Sequence, residues 1–155
     1  MANEIRGIMI PVTKNKKVLL PNAIIAEVVS YNDINKVEDA PNWLLGNINW
    51  RGYEIPLICY ETLSTGDNPD GKITGRVAVI KALGDVKKMP YFAMLVEGVP
   101  RLQLVTQGDL QVHEMEEEEN NAIASRVTIQ DDMSEIPNIR YIEHILNVSI
   151  PEKTA

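Results

Sequence analysis

Residues 41–63 constrain the fold of this chain more than any other segment. They contain both tryptophans, and Arg51-Gly52 divides them into two apolar runs, which is typical of a β-hairpin. The apolar residues are Trp43, Leu44, Leu45, Ile48 and Trp50 before the turn, and Ile55, Leu57, Ile58 and Tyr60 after it. Because Arg51 stands among apolar residues, we expect its guanidinium to be partly buried and to have an acidic partner.

Glu27 is the candidate partner, since it interrupts the apolar run 24–29. Side chains alternate between the two faces of a strand. This alternation predicts Ile25, Glu27 and Val29 on one face and Ala26 and Val28 on the other. Two interpretations of a Glu27–Arg51 pair stay open: an ion pair that holds the first β unit together, worth roughly 3–5 kcal/mol if buried, or part of a groove that binds another protein.

The rest of the chain reads as short strands separated by residues that favour turns, which is typical of an all-β sandwich or barrel. The pattern predicts strands over 5–12, 18–29 (with a kink), 76–83, 91–96, 101–105 and 125–130, and turns or loops over 65–75, 84–90 and 131–137. It also predicts a short helical turn from Ala40 to about Gly46. Pro41-Asn42 and Pro137-Asn138 each precede an apolar segment, which suggests two similar β units.

Composition limits the class of protein. A chain of 155 residues forms one domain or two small ones. A net charge of −7 without a basic patch makes nucleic acid and anionic lipid poor partners. No apolar run is long enough to span a membrane, and the N-terminus lacks the pattern of a signal peptide. Cys59 is the only cysteine, so no internal disulfide is possible, and we expect a cytoplasmic protein.

Candidate catalytic groups are few. The histidines are His113 and His144, neither in a cluster with zinc-ligand spacing, and no phosphate-binding glycine motif is present. Cys59 follows an apolar strand, which favours an inert buried thiol. The acidic run 116–119 is typical of a solvated surface. We therefore expect no enzyme, no metal and no cofactor. The alternatives are a small β-barrel protein that binds a ligand or metal, a cysteine-dependent enzyme, and a protein that self-associates through barrel edges.

Five segments carry a family resemblance. They are Ile25-Ala26-Glu27-Val28, Pro41-Asn42-Trp43, Gly46-Asn47-Ile48-Asn49-Trp50-Arg51-Gly52, Ile55-Pro56-Leu57-Ile58 and, more weakly, Leu95-Val96-Glu97-Gly98-Val99. In order, spacing and chemistry they resemble the CheW-like family of chemotaxis coupling proteins.

The resemblance implies an all-β fold of two small SH3-like five-stranded β-barrels around a shared core, with short helices. Residues 1–155 would form one CheW-like domain, with the first barrel centred on about 18–83, the second on about 91–148, and termini that cross between them. It implies a cytoplasmic, non-enzymatic adaptor that couples the helical tips of chemoreceptors to a CheA-type histidine kinase. Neither nucleic acid nor insertion into the membrane is expected, and self-association would be weak.

The family also implies which residues form the site. The partner-binding positions are Ile25, Glu27, Val28, Arg51 and Val99. The structural motif consists of Gly46, Asn49, Trp50, Gly52 and Pro56. The chain departs from the family at Trp50, where leucine is usual, and at Cys59-Tyr60, where Asp-Leu is usual. It also ends at Ala155, where most members continue. These departures resemble accessory members that serve type IV pilus chemosensory systems (ChpC-like).

Overall fold

The computed structural model describes residues 4–13, 15–31, 33–66, 75–84, 89–106, 108–115 and 121–149. Within them the chain forms eleven strands, two α-helices and a 3-10 turn at Asn22–Ile24. The strands are β1 (Glu4–Pro11), β2 (Lys17–Pro21), β3 (Ile25–Ser30), β4 (Leu44–Trp50), β5 (Tyr53–Ile58), β6 (Arg76–Lys81), β7 (Tyr91–Val96), β8 (Arg101–Thr106), β9 (Leu110–His113), β10 (Ile123–Ile129) and β11 (Asp132–Pro137). The helices are α1 (Tyr60–Thr65) and α2 (Ile139–Ser149). The all-β fold class with short helices is confirmed.

A five-stranded sheet has the order β3-β6-β7-β5-β4. Its strands all come from the continuous segment between Ile25 and Val96. The predicted hairpin is present as β4 and β5, in register from Leu44 opposite Ile58 to Trp50 opposite Tyr53. Branched and aromatic residues on these strands favour the pleated conformation, and Arg51-Gly52 makes the two-residue turn.

A six-stranded sheet has the order β8-β1-β2-β11-β10-β9 and combines two distant parts of the chain. β1 pairs antiparallel with β8, with Ile5 opposite Val105, and β2 meets β11 in a short parallel contact. The predicted barrel boundaries therefore need correction: β2 lies in this sheet and β7 in the other. Residues 131–137, predicted as a turn, contain β11, and this sheet has six strands rather than five.

Among the described residues, three apolar clusters stabilise the two sheets. One lies within the five-stranded sheet and is centred on Ile48, Leu57, Val77 and Ala93. A smaller one lies within the six-stranded sheet and contains Met9, Leu19, Val105, Val127 and Ile129. The largest lies between the sheets, where Ile10 and Leu20 from one sheet contact Ile80 and Phe92 from the other. Burial of these side chains fixes the relative position of the sheets.

The last apolar segment folds as the amphipathic helix α2. Its N-terminus is capped by Asn138, whose side-chain oxygen accepts the Tyr141 backbone N–H at 3.1 Å. Ile142 and Leu146, four residues apart on one face, are fully buried in the central cluster. The buried carboxylate of Glu143 accepts the backbone N–H groups of Leu83 and Gly84 at 3.0–3.1 Å. This helix therefore holds the segment that leaves β6.

Candidate partner-binding site

The hairpin turn gives Arg51 an unusual backbone. Arg51 has φ +47° and Gly52 φ +83°, so both central residues are left-handed, as a type I′ turn requires. Gly52 adopts this conformation without strain, whereas for Arg51 it costs roughly 1–2 kcal/mol. The turn between β10 and β11 has the same backbone, with φ +47° at Gln130 and +70° at Asp131, so the conformation follows from the tight hairpin.

Glu27 connects the turn to the opposite edge of the five-stranded sheet. Its Oε2 atom accepts the Trp50 indole N–H at 3.0 Å and lies 3.1 Å from Arg51 Nη2. The Arg51 guanidinium also lies over the Trp50 ring, 5.1 Å from the centroid. We call these three residues the Glu27 clasp. Because β3 and β4 are the two edge strands of the sheet, the clasp closes the sheet on itself through side chains.

The clasp confirms that Arg51 has an acidic partner but not that it is buried. The Arg51 side chain is 67% exposed and that of Glu27 36% exposed. The apolar neighbours of Arg51 in sequence point into the core while the turn itself faces solvent. An exposed pair of this kind is worth about 0.2–1 kcal/mol, not the 3–5 kcal/mol of a buried one. The buried group of the clasp is Trp50, which is 8% exposed.

Two tyrosines extend the clasp into an aromatic surface that the sequence did not predict. The Trp50 and Tyr91 rings meet edge-on at 4.9 Å, and the Tyr53 ring lies 5.4 Å from Tyr91 and 6.4 Å from Trp50. Tyr53 is 47% exposed. Tyr91 begins β7, far from the hairpin in sequence, so only the parallel contact between β5 and β7 reveals the cluster. Trp, Tyr and Arg are the residue types that most often dominate protein–protein binding energy.

Strand β3 presents its residues differently from the predicted alternation. The register with β6 shifts between Ile25 and Glu27, which is the signature of a β-bulge. The bulge moves Ile25 onto the side of Val28, where both pack against the cluster between the sheets. Ala26 instead packs within the five-stranded sheet. Ile25 and Val28 are therefore half-buried and on the face opposite to Glu27.

The structure places Val99 apart from the clasp. Val99 lies in the connection from β7 to β8 and is 72% exposed. It lines a shallow cavity of about 150 Å³ together with Met9, Pro11, Lys17 and Arg101. The geometry thus brings Glu27 and Arg51 together, whereas Val99 belongs to the surface of the six-stranded sheet.

The motif residues have structural reasons for their identity. Gly46 has φ +143°, and a Cβ there would lie 2.5 Å from the Asn35 carbonyl oxygen. It sits at a bulge within β4, so the prediction that it ends a helical turn is wrong. Pro56 pairs with β4, but the contact of β5 with β7 starts only at Leu57, so the missing N–H of Pro56 breaks no ladder. Asn49 is exposed on β4, opposite Glu54.

A buried polar network joins the two sheets, and no local sequence pattern indicated it. The Tyr60 hydroxyl donates to Glu135 Oε1 at 2.9 Å, and Arg126 Nε donates to Glu135 Oε2 at 3.1 Å. Lys16 Nζ lies 3.0 Å from Glu61 and 3.7 Å from Glu135. Burial and the neighbouring Glu135 carboxylate raise the pKa of Tyr60 well above its usual range. The phenol therefore remains a hydrogen-bond donor to Glu135.

The described part of the chain offers little for catalysis. Cys59 is 3% exposed, so its thiol is not accessible to a substrate. The histidine, cysteine and acidic residues of the described segments form no group of three or more that could hold a metal ion. His113 hydrogen-bonds Thr128 at 2.6 Å, and the acidic run 116–119 lies outside the described residues. None of the described helices is long and apolar enough to cross a membrane.

Comparison with known proteins gives two findings. The sequence profile of the CheW-like domain matches residues 6–146. The fold is similar to the crystal structure of the scaffolding protein TtCheW from Thermoanaerobacter tengcongensis, with a TM-score of 0.71 at 17% sequence identity. That match covers 88% of this chain and 86% of the other. No curated protein sequence matches the chain with significant similarity.

Proposed function

The chain belongs to the CheW-like domain family, and from that premise we propose that it is a non-enzymatic adaptor of bacterial chemotaxis signalling. In this role it couples the helical tip of a chemoreceptor to a CheA-type histidine kinase in the cytoplasm. It binds both proteins non-covalently through its own surface and transfers no chemical group.

The observation that carries the proposal is the Glu27 clasp. Arg51 is held in a strained conformation, largely exposed, beside Trp50 and Tyr53. The clasp thus offers a charged group with fixed direction next to apolar aromatic area. Receptor tips are helices, and recognition of a helix needs apolar anchors with a few polar groups that set the register. We propose Arg51 and Glu27 as the polar groups and the exposed Tyr53 ring beside them as the apolar anchor. Ile25 and Val28, on the other face of β3, and Val99, on the six-stranded sheet, are proposed as contacts of a separate partner surface.

A pulldown with purified proteins tests the adaptor role. The tagged chain is mixed with a CheA-type kinase and a receptor signalling domain from the same source, and each is expected to be retained. Arg51→Ala is expected to weaken receptor binding by about tenfold, as loss of one hot-spot side chain does. Arg140→Ala is the matched control, because Arg140 is an exposed arginine on α2. Failure of folded wild-type protein to bind either partner would refute the proposal.

We further propose that the output is a type IV pilus system rather than a flagellum. The two departures from the family pattern each make a bond that leucine is unable to make: Trp50 donates to Glu27, and Tyr60 donates to Glu135. These two bonds set the chain apart from the usual family pattern. Deletion of the gene is expected to impair twitching and leave swimming intact, and the opposite result would assign the protein to the flagellar pathway.

A further inference from the structure

Strand β8 is an apolar edge of the six-stranded sheet. It lies at one end of the strand order, so among the described strands it is paired on one side only, with β1. Leu102 and Leu104 project from one face of it and are 57% and 48% exposed. Unpaired edges with apolar side chains tend to pair with another strand, and proteins commonly protect them.

No neighbouring strand among the described residues covers this edge. β9 begins at Leu110, and the Asp109 N–H before it donates to the Thr106 carbonyl at the end of β8 at 3.0 Å. The two strands nevertheless stand at opposite ends of the strand order and are not hydrogen-bonded neighbours in the sheet. The Gln103 side-chain amide donates to the Leu104 carbonyl at 3.2 Å, a local bond that an incoming strand replaces.

We propose that a second copy of this chain pairs its own β8 antiparallel against this edge, with the two-fold axis at Gln103. In that register Leu102 of each copy lies opposite Leu104 of the other. The four leucines then form one apolar patch on the same face. Directly opposite residues of an antiparallel pair have Cβ atoms about 4.5–5.5 Å apart, so the leucines contact each other across the axis.

Charge and size define the strength of the association. Arg101 lies opposite Val105 of the second copy, so no like charges face each other, and Arg101 already contacts Asp132. Two six-residue strands bury less than the roughly 1,200 Å² typical of stable complexes. The dimer is therefore weak and reversible, and forms where the protein is concentrated.

The other edges suit a second copy less well. β9 has four residues, against six in β8. The edge of β4 is partly covered by Asn35, whose backbone exchanges two 2.8 Å hydrogen bonds with Asn47. On β3 the clasp residue Glu27 bonds across to Trp50. This inference does not rest on the proposed adaptor function.

Disulfide trapping tests the register directly. Opposite residues of an antiparallel pair satisfy the Cα separation of a disulfide, so Gln103→Cys is expected to cross-link to itself under mild oxidation. Gln111→Cys, exposed on β9, is the matched control and is expected to cross-link about tenfold more slowly. Native Cys59 is buried and remains unreacted. Equal rates at the two positions, or faster trapping at Gln111, would overturn the proposal.

Sedimentation velocity over a concentration series gives an independent measurement. Leu102→Asp with Leu104→Asp places like charges opposite each other, which is destabilising, and is expected to abolish the concentration-dependent shift of the wild type. Val112→Asp, a comparable change on β9, is expected to keep it. Both variants alter exposed side chains, so their melting curves stay close to the wild type. A wild type that shows no shift, or loss of the shift in Val112→Asp alone, would refute the pairing.

Discussion

Removing either partner of the Glu27–Arg51 pair is expected to have unequal effects on stability. Arg51→Gly loses an exposed ion pair of about 0.2–1 kcal/mol and a cation–π contact of about 0.5–1 kcal/mol. It also relieves left-handed strain of roughly 1–2 kcal/mol, less an entropic cost of glycine of about 0.5–1 kcal/mol. These terms nearly cancel, so the free energy of unfolding is expected to change by less than about 1 kcal/mol.

Glu27→Ala loses the same ion pair and also the acceptor of the Trp50 indole N–H, which is almost buried. An unsatisfied buried donor costs about 1–3 kcal/mol. The expected total is about 2–3 kcal/mol. Glu27→Gln keeps an acceptor oxygen without the charge and is expected to fall between the two, near 1 kcal/mol.

Urea unfolding followed by far-UV circular dichroism measures these differences, with a common slope for all variants. The expected order of stability is wild type close to Arg51→Gly, then Glu27→Gln, then Glu27→Ala. If Arg51→Gly is as destabilising as Glu27→Ala, then the ion pair rather than the indole bond closes the sheet, and the reasoning fails. Arg51→Gly should still weaken receptor binding, which would separate recognition from stability.

Three further changes test other contacts. Glu143→Ala leaves two loop N–H groups without their charged acceptor and should lower the free energy of unfolding by about 3 kcal/mol in urea. Tyr60→Phe deprives Glu135 of a donor and should cost about 1–2 kcal/mol. Because the folded pKa of Tyr60 lies above its unfolded value of 10.0, this group leaves wild-type stability unchanged below that pH and lowers it above that pH. An alkaline titration of the free energy of unfolding would show this fall, and Tyr60→Phe would reduce it. Gly46→Ala should destabilise by about 3 kcal/mol or more through a backbone clash, whereas Gly108→Ala, which meets nothing within 4 Å, should be neutral in a thermal melt.

The sequence predicted best what depends on neighbours in the chain. The Arg51-Gly52 hairpin needs only two apolar runs and a turn that accepts left-handed residues, so its signal is local. The acidic partner of Arg51 was predicted from the chemistry of a guanidinium. The prediction that the Arg51 side chain is partly buried was wrong. Residues next to a turn in sequence need not surround it in space, because the turn itself projects from the sheet.

Sheet membership depended on contacts that no local pattern records. β2 looked like part of the first unit, yet it pairs with β1 and β11. β7 looked like part of the second, yet its partners are β5 and β6. The bulge in β3 likewise follows from pairing with β6 and reverses the expected face of Ile25. The Tyr60–Glu135 bond joins residues 75 positions apart and left no signal of its own.

The pairing of β1 with β8 has a consequence for synthesis on the ribosome. Ile5 and its partner Val105 are separated by about 100 residues, which take roughly 5–20 s to translate at 5–20 residues per second. The five-stranded sheet, built from one continuous segment, is complete before that. The hairpin of β1 and β2 therefore emerges early, and its Ile10 and Leu20 can pack on the finished five-stranded sheet. Met9 and Leu19, on its other face, stay exposed until Val105, Val127 and Ile129 have been synthesised, and this face is where a chaperone would bind the nascent chain.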